Sequence, residues 1–407
     1  MAVTRPRPNA RTRQRSRYGC RNCKLRRVKC DEQKPRCDRC TSLGVQCNFM
    51  SNTTDLEPTG AGTLVLHAPV SSDVWTSDES TSYQYQLNAK CQDFITRYLG
   101  QSLVNPVPDD LNMICVNRKL LGLAFSYPFL MHASLAVAFT YDRYLNRSFG
   151  GRYRFEECYH WSQATALLNR RLARPIVATS KDKDAIWGTA AALAILSFSS
   201  PDARTPEESW PLKHPSDQSE LDWLRMSSGK MALWDFVNPL RPDSLFHIMK
   251  ATFAQIKTPL PKSGVYGMPG SLAAVCHLNE ATTARENPYF DAAHALSVIL
   301  NLPDSEVTAG QTQLFTRCIQ GPFEGLLRNR DPVALLLLYL WYCKASCIWW
   351  IELRARVECP AICEYLRRYH KGNAAVQAFV PWGRFCRSGF GVAMLLQLLG
   401  SPSPVND

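Results

Sequence analysis

The sequence predicts two unlike bodies: a small thiolate–metal module built around two short helices, and a large all-α domain behind it. Three observations predict this. Six cysteines fall between residues 20 and 47 in a repeated spacing. Apolar runs of helical period fill the chain from about Tyr83 to Leu399, with no strand-like alternation of comparable length. Charge separates the two bodies: residues 1–47 hold 14 Lys or Arg and 3 acids, a net +11 of the +12 carried by all 407 residues.

The cysteines are Cys20, Cys23, Cys30, Cys37, Cys40 and Cys47, spaced C-x2-C-x6-C twice. Two equal halves suggest two metals related by an approximate two-fold axis. Two tetrahedral Zn2+ ions need eight thiolate positions. Six cysteines supply them if two bridge both metals. The pseudo-symmetry selects the first cysteine of each half, Cys20 and Cys37. One zinc would then take Cys20, Cys23, Cys30 and Cys37; the other would take Cys37, Cys40, Cys47 and Cys20. A disulfide knot is the competing reading. It needs an oxidising compartment, and the N-terminal residues carry no apolar signal-peptide core.

Basic residues fill the first half. Cys23 to Lys29 is expected to form a short helix, because its ends are pinned to one metal and it contains no Gly or Pro. Arg26 and Arg27 would sit mid-helix, where a guanidinium can bond bidentately to guanine. Lys24, Lys29, Arg21, Arg36 and Arg39 read as phosphate contacts, which fix register without reading sequence. A merely solvated basic face is the alternative. Six thiolates and two Zn2+ still leave the module at about +9, a field that attracts a polyanion. Double-stranded DNA is therefore the expected partner. Residues 1–17 form a basic arm of Arg alternating with Pro, Asn, Thr, Gln and Ser. The arm has no apolar side to bury, so it is expected to be disordered, with phosphate contact and nuclear import as its uses.

This segment resembles the fungal binuclear zinc cluster family, the six-cysteine transcription factors. The resemblance rests on the cysteine spacing, the basic run Lys24 to Lys29, Pro35 before the fourth cysteine, and the pair Leu43 and Gly44. It implies a cluster that enters the major groove and reads a CGG-type triplet. It also implies a base-contacting cation at Arg27 and the same bridging cysteines that symmetry selects.

The remaining organisation is expected as follows. The cluster domain covers 18–48. A linker rich in Ser, Thr, Gly, Pro and Asp covers 49–82, an all-α regulatory domain 83–400, and a tail 401–407. No sustained a/d heptads run between Phe49 and Tyr85, so a homodimer stays open without an evident coiled coil. In the large domain, Ser126, Tyr127 and Pro128 open one apolar helix, and Ile186 to Phe198 lie in another. Asp331 and Pro332 start a third, Val333 to Ile351, broken mainly by Lys344 and Ser346. That stretch is long enough to cross a bilayer, but a buried Lys344 would be expensive there. A central core helix with Lys344 at a wet edge is expected instead, and no membrane partner. The i, i+4 pairs Cys343/Cys347 and Cys359/Cys363 read as buried structural thiols.

Ala124 to His132, Asn287 to Tyr289, the helix from Asp331 ending in Trp349 and Trp350, and Pro381 with Trp382 resemble the regulatory domain of sterol-uptake-control-type fungal regulators. That resemblance implies an apolar pocket for a lipid-like effector, although each of the ten Trp reads first as core. No GxSxG, P-loop, GxGxxG with a following acid, or HExxH motif occurs. A filled six-thiolate cluster also has no open coordination position. The chain is therefore expected to be no enzyme. It is expected to be a nuclear regulator of RNA polymerase II transcription that works with the transcription machinery on a metabolic, secondary-metabolite-type gene cluster. The alternative is a lipid- or small-molecule-sensing receptor whose helical domain gates the DNA-binding module.

Overall fold

The computed structural model describes residues 18–25, 28–41, 46–49, 110–145, 155–173, 179–201, 203, 205–213 and 221–380. The expected arm, all but the first residue of the expected linker, Pro381, Trp382 and the tail lie outside these residues. The chain divides into two compact units, residues 1–97 and 98–407.

The first unit contains α1 (Arg21–Leu25) and α2 (Asp38–Thr41). Helices of five and four residues do not persist alone, so the cysteines buried beneath them must hold them. α1 begins two residues earlier than expected. The carbonyl and sulfur of Cys20 accept the N–H groups of Lys24 and Cys23, so the turn nucleates on the first cysteine rather than the second. Val28 and Lys29, expected to finish the helix, are not helical.

The second unit is helical, with no strand among the described residues beyond an isolated bridge between Ser263 and Thr283. Its α-helices are α3 (Asp110–Ala124), α4 (Pro128–Leu145), α5 (Phe155–Leu172), α6 (Ser180–Ser199), α7 (Asp222–Ala232), α8 (Trp234–Val237), α9 (Lys250–Ile256), α10 (Gly270–Val275), α11 (Phe290–Leu300), α12 (Ala309–Cys318), α13 (Pro322–Arg328), α14 (Pro332–Ala345), α15 (Trp349–Tyr369) and α16 (Ala374–Gln377). α4 packs on α5 and α6, α14 on α15, and α12 on α9 and α11.

Local chemistry accounts for the boundaries. Pro128 is the first residue of α4, where a missing N–H costs nothing. A capping box between Thr179 and Asp182 opens α6. Asp331 caps α14: its Oδ1 accepts from the N–H groups of Val333 at 3.0 Å and Ala334 at 2.9 Å. The same oxygen accepts from the Tyr289 hydroxyl at 3.0 Å, so the sequence pieces at 287–289 and 331–332 meet.

Every residue of α14 except Pro332 and Cys343 is buried, as a helix apolar on all sides requires. Trp341 sits fully inside, donating its Nε1–H to the Thr312 carbonyl at 3.0 Å. The expected single stretch Val333 to Ile351 is two helices. Ser346 turns back on the end of α14, its N–H donating to the Tyr342 carbonyl and its hydroxyl to that of Cys343. Ile348 is extended, and Trp349 and Trp350 open α15 instead of ending α14. No helix among the described residues is long and apolar enough to cross a membrane. Lys344 is buried and pairs at 2.8 Å with Asp304, whose side chain is 50% exposed. Lys344 is thus not at a wet edge as expected: its ammonium stays buried, and the half-exposed Asp304 carboxylate compensates the charge. α9 and α12 cross in near backbone contact, since a Cβ on Gly310 would lie 2.7 Å from the Thr252 carbonyl oxygen.

Candidate metal centre and nucleic-acid interface

All six N-terminal cysteines come together. Their sulfurs form two groups of four, Cys20/Cys23/Cys30/Cys37 and Cys20/Cys37/Cys40/Cys47, each within 4.8 Å of one another. The two groups share Cys20 and Cys37. Sulfur separations are 3.7 Å for Cys20–Cys37, 3.6 Å for Cys20–Cys40 and 3.6 Å for Cys23–Cys37. A zinc–sulfur bond of about 2.3 Å makes the edge of a ZnS4 tetrahedron about 3.8 Å long. The donors therefore have the spacing that zinc requires. A disulfide would hold two sulfurs near 2.05 Å, and all six cysteines are free thiols here.

Burial makes Cys20, Cys23 and Cys40 poor acids without a cation. It pushes Cys20 up to about 11 and raises Cys23 and Cys40 as well. A bound dication reverses that balance, because its charge stabilises the thiolate. Backbone N–H groups are already aimed at three sulfurs: Cys23 N–H to Cys20, Glu32 N–H to Cys30, and Cys37 N–H to Cys47, each at 3.4 Å. Such outer contacts orient ligands. The residues fit two zinc ions, whose role is to hold the module's fold.

Arg21, Lys24, Lys29, Arg36 and Arg39 are all exposed around the buried sulfurs. Arg26 and Arg27 lie outside the described residues. Two residues with no part in the sequence-derived site are built into it. Asn22 and Asn48 are buried and bonded to one another, the Asn22 N–H donating to Asn48 Oδ1 at 2.7 Å. Their positions, directly before the second cysteine and directly after the sixth, were the only available signal. Asp31 accepts the Asp38 N–H at 3.1 Å, and that bond holds its carboxyl below the usual range.

In the second unit, Cys359 and Cys363 are buried as expected, but Cys343 is half-buried and Cys347 exposed, because the chain leaves α14 before reaching Cys347. A cleft of about 160 Å³ is lined by residues that include Trp161, Ser200, Trp210, Lys213, Trp223 and Arg354. It is smaller than an ordinary ligand pocket of about 300 Å³ or more, and its wall mixes charge with Trp instead of being apolar.

Residues 18–56 match the family described as the fungal Zn(2)-Cys(6) binuclear cluster domain. A segment of 37 residues is 57% identical to sterol uptake control protein 2 of Candida albicans, covering 9% of this chain and 5% of that protein. Another match, of 51 residues, is 45% identical to the aspercryptin biosynthesis cluster-specific transcription regulator atnN of Emericella nidulans, over 12% of this chain and 8% of that protein. A longer match reaches the Zn(2)-C6 fungal-type transcription factor afumD of Aspergillus fumigatus: 25% identity over 331 residues, 79% of this chain and 83% of that protein. The chain spans a tenth or less of the length of the first curated relatives it matches. No solved structure matches it.

Proposed function

We propose that this chain, whose residues 18–56 form a fungal Zn(2)-Cys(6) binuclear cluster domain, is a sequence-specific DNA-binding regulator of RNA polymerase II transcription. One observation carries the reading: two four-sulfur groups share Cys20 and Cys37 at tetrahedral spacing inside a shell of exposed cations. Such a module cannot do zinc catalysis, because no coordination position is open. Cys20, Cys23, Cys30, Cys37, Cys40 and Cys47 hold two zinc ions, with Cys20 and Cys37 bridging. Arg21, Lys24, Lys29, Arg36 and Arg39 contact phosphates. Arg27, with Arg26 beside it, reads a guanine of a CGG-type triplet. The site of action is the nucleus, and the expected targets are genes of a metabolic cluster; the likeness to a biosynthesis-cluster regulator supports that choice.

The test is a binding titration of the full chain on CGG-containing and scrambled duplexes at one fixed salt concentration. A bidentate Arg–guanine pair is worth about 1–3 kcal/mol of discrimination. Arg27→Ala should therefore weaken cognate binding roughly tenfold to a hundredfold and barely change scrambled binding. Lys24→Ala should weaken both alike, as loss of a phosphate contact does. Equal losses on both duplexes for Arg27→Ala would move the reading role to Arg26.

The second reading is a receptor whose helical domain answers a small molecule. The resemblance of Ala124 to His132, Asn287 to Tyr289 and the helix from Asp331 to the regulatory domain of sterol-uptake-control-type regulators favours it, although the 160 Å³ cleft is too small for a sterol-sized ligand. A melting shift of the full chain with added ergosterol supports this reading; none removes its lipid form.

A further inference from the structure

Both helices of the first unit are too short to satisfy their own ends, so their leading N–H groups need outside acceptors. In α1 every one of the first four has one. Arg21 N–H donates to the Asn48 carbonyl at 3.4 Å, and Lys24 N–H to the Cys20 carbonyl at 3.1 Å. Asn22 N–H donates to Asn48 Oδ1 at 2.7 Å, and Cys23 N–H to Cys20 Sγ at 3.4 Å. In α2, Asp38 N–H donates to Asp31 Oδ2 at 3.1 Å. Cys40 and Thr41 donate to the Cys37 carbonyl at 3.1 and 3.0 Å.

The two remote acceptors are related. Asp31 follows Cys30, the last cysteine of the first half, and Asn48 follows Cys47, the last of the second. A shift of 17 residues that superposes Cys20 on Cys37 also superposes Asp31 on Asn48 and Arg21 on Asp38. The caps are thus exchanged across the pseudo-two-fold: each half closes the helix of the other. One feature breaks the symmetry. The fully buried Asn22 adds a bond from its Nδ2 to the Gln46 carbonyl at 2.8 Å. Its counterpart under the shift is Arg39, which is exposed. α1 therefore has a third, non-metal tether with no buried counterpart in α2, and α1 is the helix that leads into Arg26 and Arg27.

Two metal–sulfur pins at Cys20 and Cys23 fix the ends of a single turn. A tether at Asn22, which lies off the face shared by the two cysteines at about 100° of rotation per residue, fixes the turn's rotation about the line joining the pins. From this geometry we propose that Asn48, together with Asn22, is a positioning residue for DNA sequence reading: it sets the orientation in which α1 presents the following arginines to the base edges. This rests on the DNA-reading function proposed above. Positional error in a reading helix costs base-specific bonds, which need alignment, and leaves phosphate attraction nearly unchanged, since that is a matter of charge.

The experiment measures zinc content by native mass spectrometry and binding to CGG and scrambled duplexes for the full-length wild type, Asn48→Ala, Asn22→Ala and Asp31→Ala. Asn48→Ala is expected to keep two zinc ions, lose about tenfold in cognate affinity and change less than about threefold on scrambled DNA. Asn22→Ala moves in the same direction by a smaller factor. Asp31→Ala also removes a cap, but from the other helix, and leaves the cognate-to-scrambled ratio at the wild-type value. A merely structural role predicts equal losses on both duplexes, or equal effects of the Asn48 and Asp31 changes; either overturns the proposal. Should Asn48→Ala shed its zinc, Asn22→Ala decides, since it keeps both backbone caps: an unchanged ratio overturns the proposal, a lowered one supports it. A wild-type chain with no preference for CGG refutes the DNA-reading function and this inference with it. A wild-type preference that the Asn48 change leaves intact refutes the inference alone.

Discussion

Replacing a bridging cysteine should do twice the damage of replacing a terminal one, and the sulfur geometry makes this a counting experiment. The two four-sulfur groups share Cys20 and Cys37. Cys23→Ala leaves one group whole and the other with three sulfurs. Cys20→Ala leaves both groups with three. Structural zinc sites bind with about 10–16 kcal/mol, so each of four thiolates accounts for about 3 kcal/mol, or roughly a hundredfold in Kd. Cys23→Ala is therefore expected to hold one zinc at wild-type strength and to weaken the other about a hundredfold. Cys20→Ala should weaken both by that factor, and Cys37→Ala should match it. Native mass spectrometry of the full chain counts the ions, and competition with a graded series of chelators ranks their affinity. A Cys20→Ala chain that keeps one zinc at wild-type strength would refute the shared-sulfur arrangement and require two independent, incomplete sites.

Two further outcomes concern the helical unit. His132 and His160 face each other, Nδ1 to Nδ1 at 2.7 Å and buried, which requires one neutral ring to donate to the other. Burial pushes His132 down to about 3 and His160 down to about 4. Their contribution is complete above the unfolded value near 6.5 and is lost as pH falls towards the folded values, amounting to about 2 kcal/mol for each group at pH 5. Thermal unfolding followed from pH 8 to pH 5 should show this loss, and a His132→Leu/His160→Leu chain should show a flatter profile; a parallel profile would assign the pH dependence elsewhere. Glu358 is buried against Arg354, and it accepts the Tyr342 hydroxyl at 2.6 Å. Glu358→Leu leaves the guanidinium charge uncompensated and should cost about 3–5 kcal/mol in denaturant unfolding, much of it recovered by adding Arg354→Met.

The zinc module was largely legible because its information is local and chemical. Six cysteines at fixed spacing name the donor atoms, and the count of six against eight selects sharing before any coordinate is known. The basic run and the charge concentrated in residues 1–47 mark the partner in the same way, since long-range charge does not depend on how the chain is folded. Helical class was readable too, because a period of 3.6 is a property of the chain segment alone.

What the sequence could not carry is every pairing between distant residues. Asn48 caps a helix that begins 27 residues earlier, and no propensity connects the two. Arg354 and Glu358, spaced like an exposed helix pair, are buried because the carbonyls of Ser197 and Phe198 arrive from α6 to meet the guanidinium. His132 and His160 read as two unrelated histidines until α4 and α5 pack. Hydropathy likewise ran through Ser346 to Ile348 as though the helix continued, because apolar content reports burial and not direction of the chain. By itself, the sequence determined which atoms could bind metal, which face was cationic and which segments were helical. Tertiary structure alone decided how α1 is oriented, which polar groups could be buried and where the core helix stops, because each of these depends on an acceptor or a contact supplied from elsewhere in the chain.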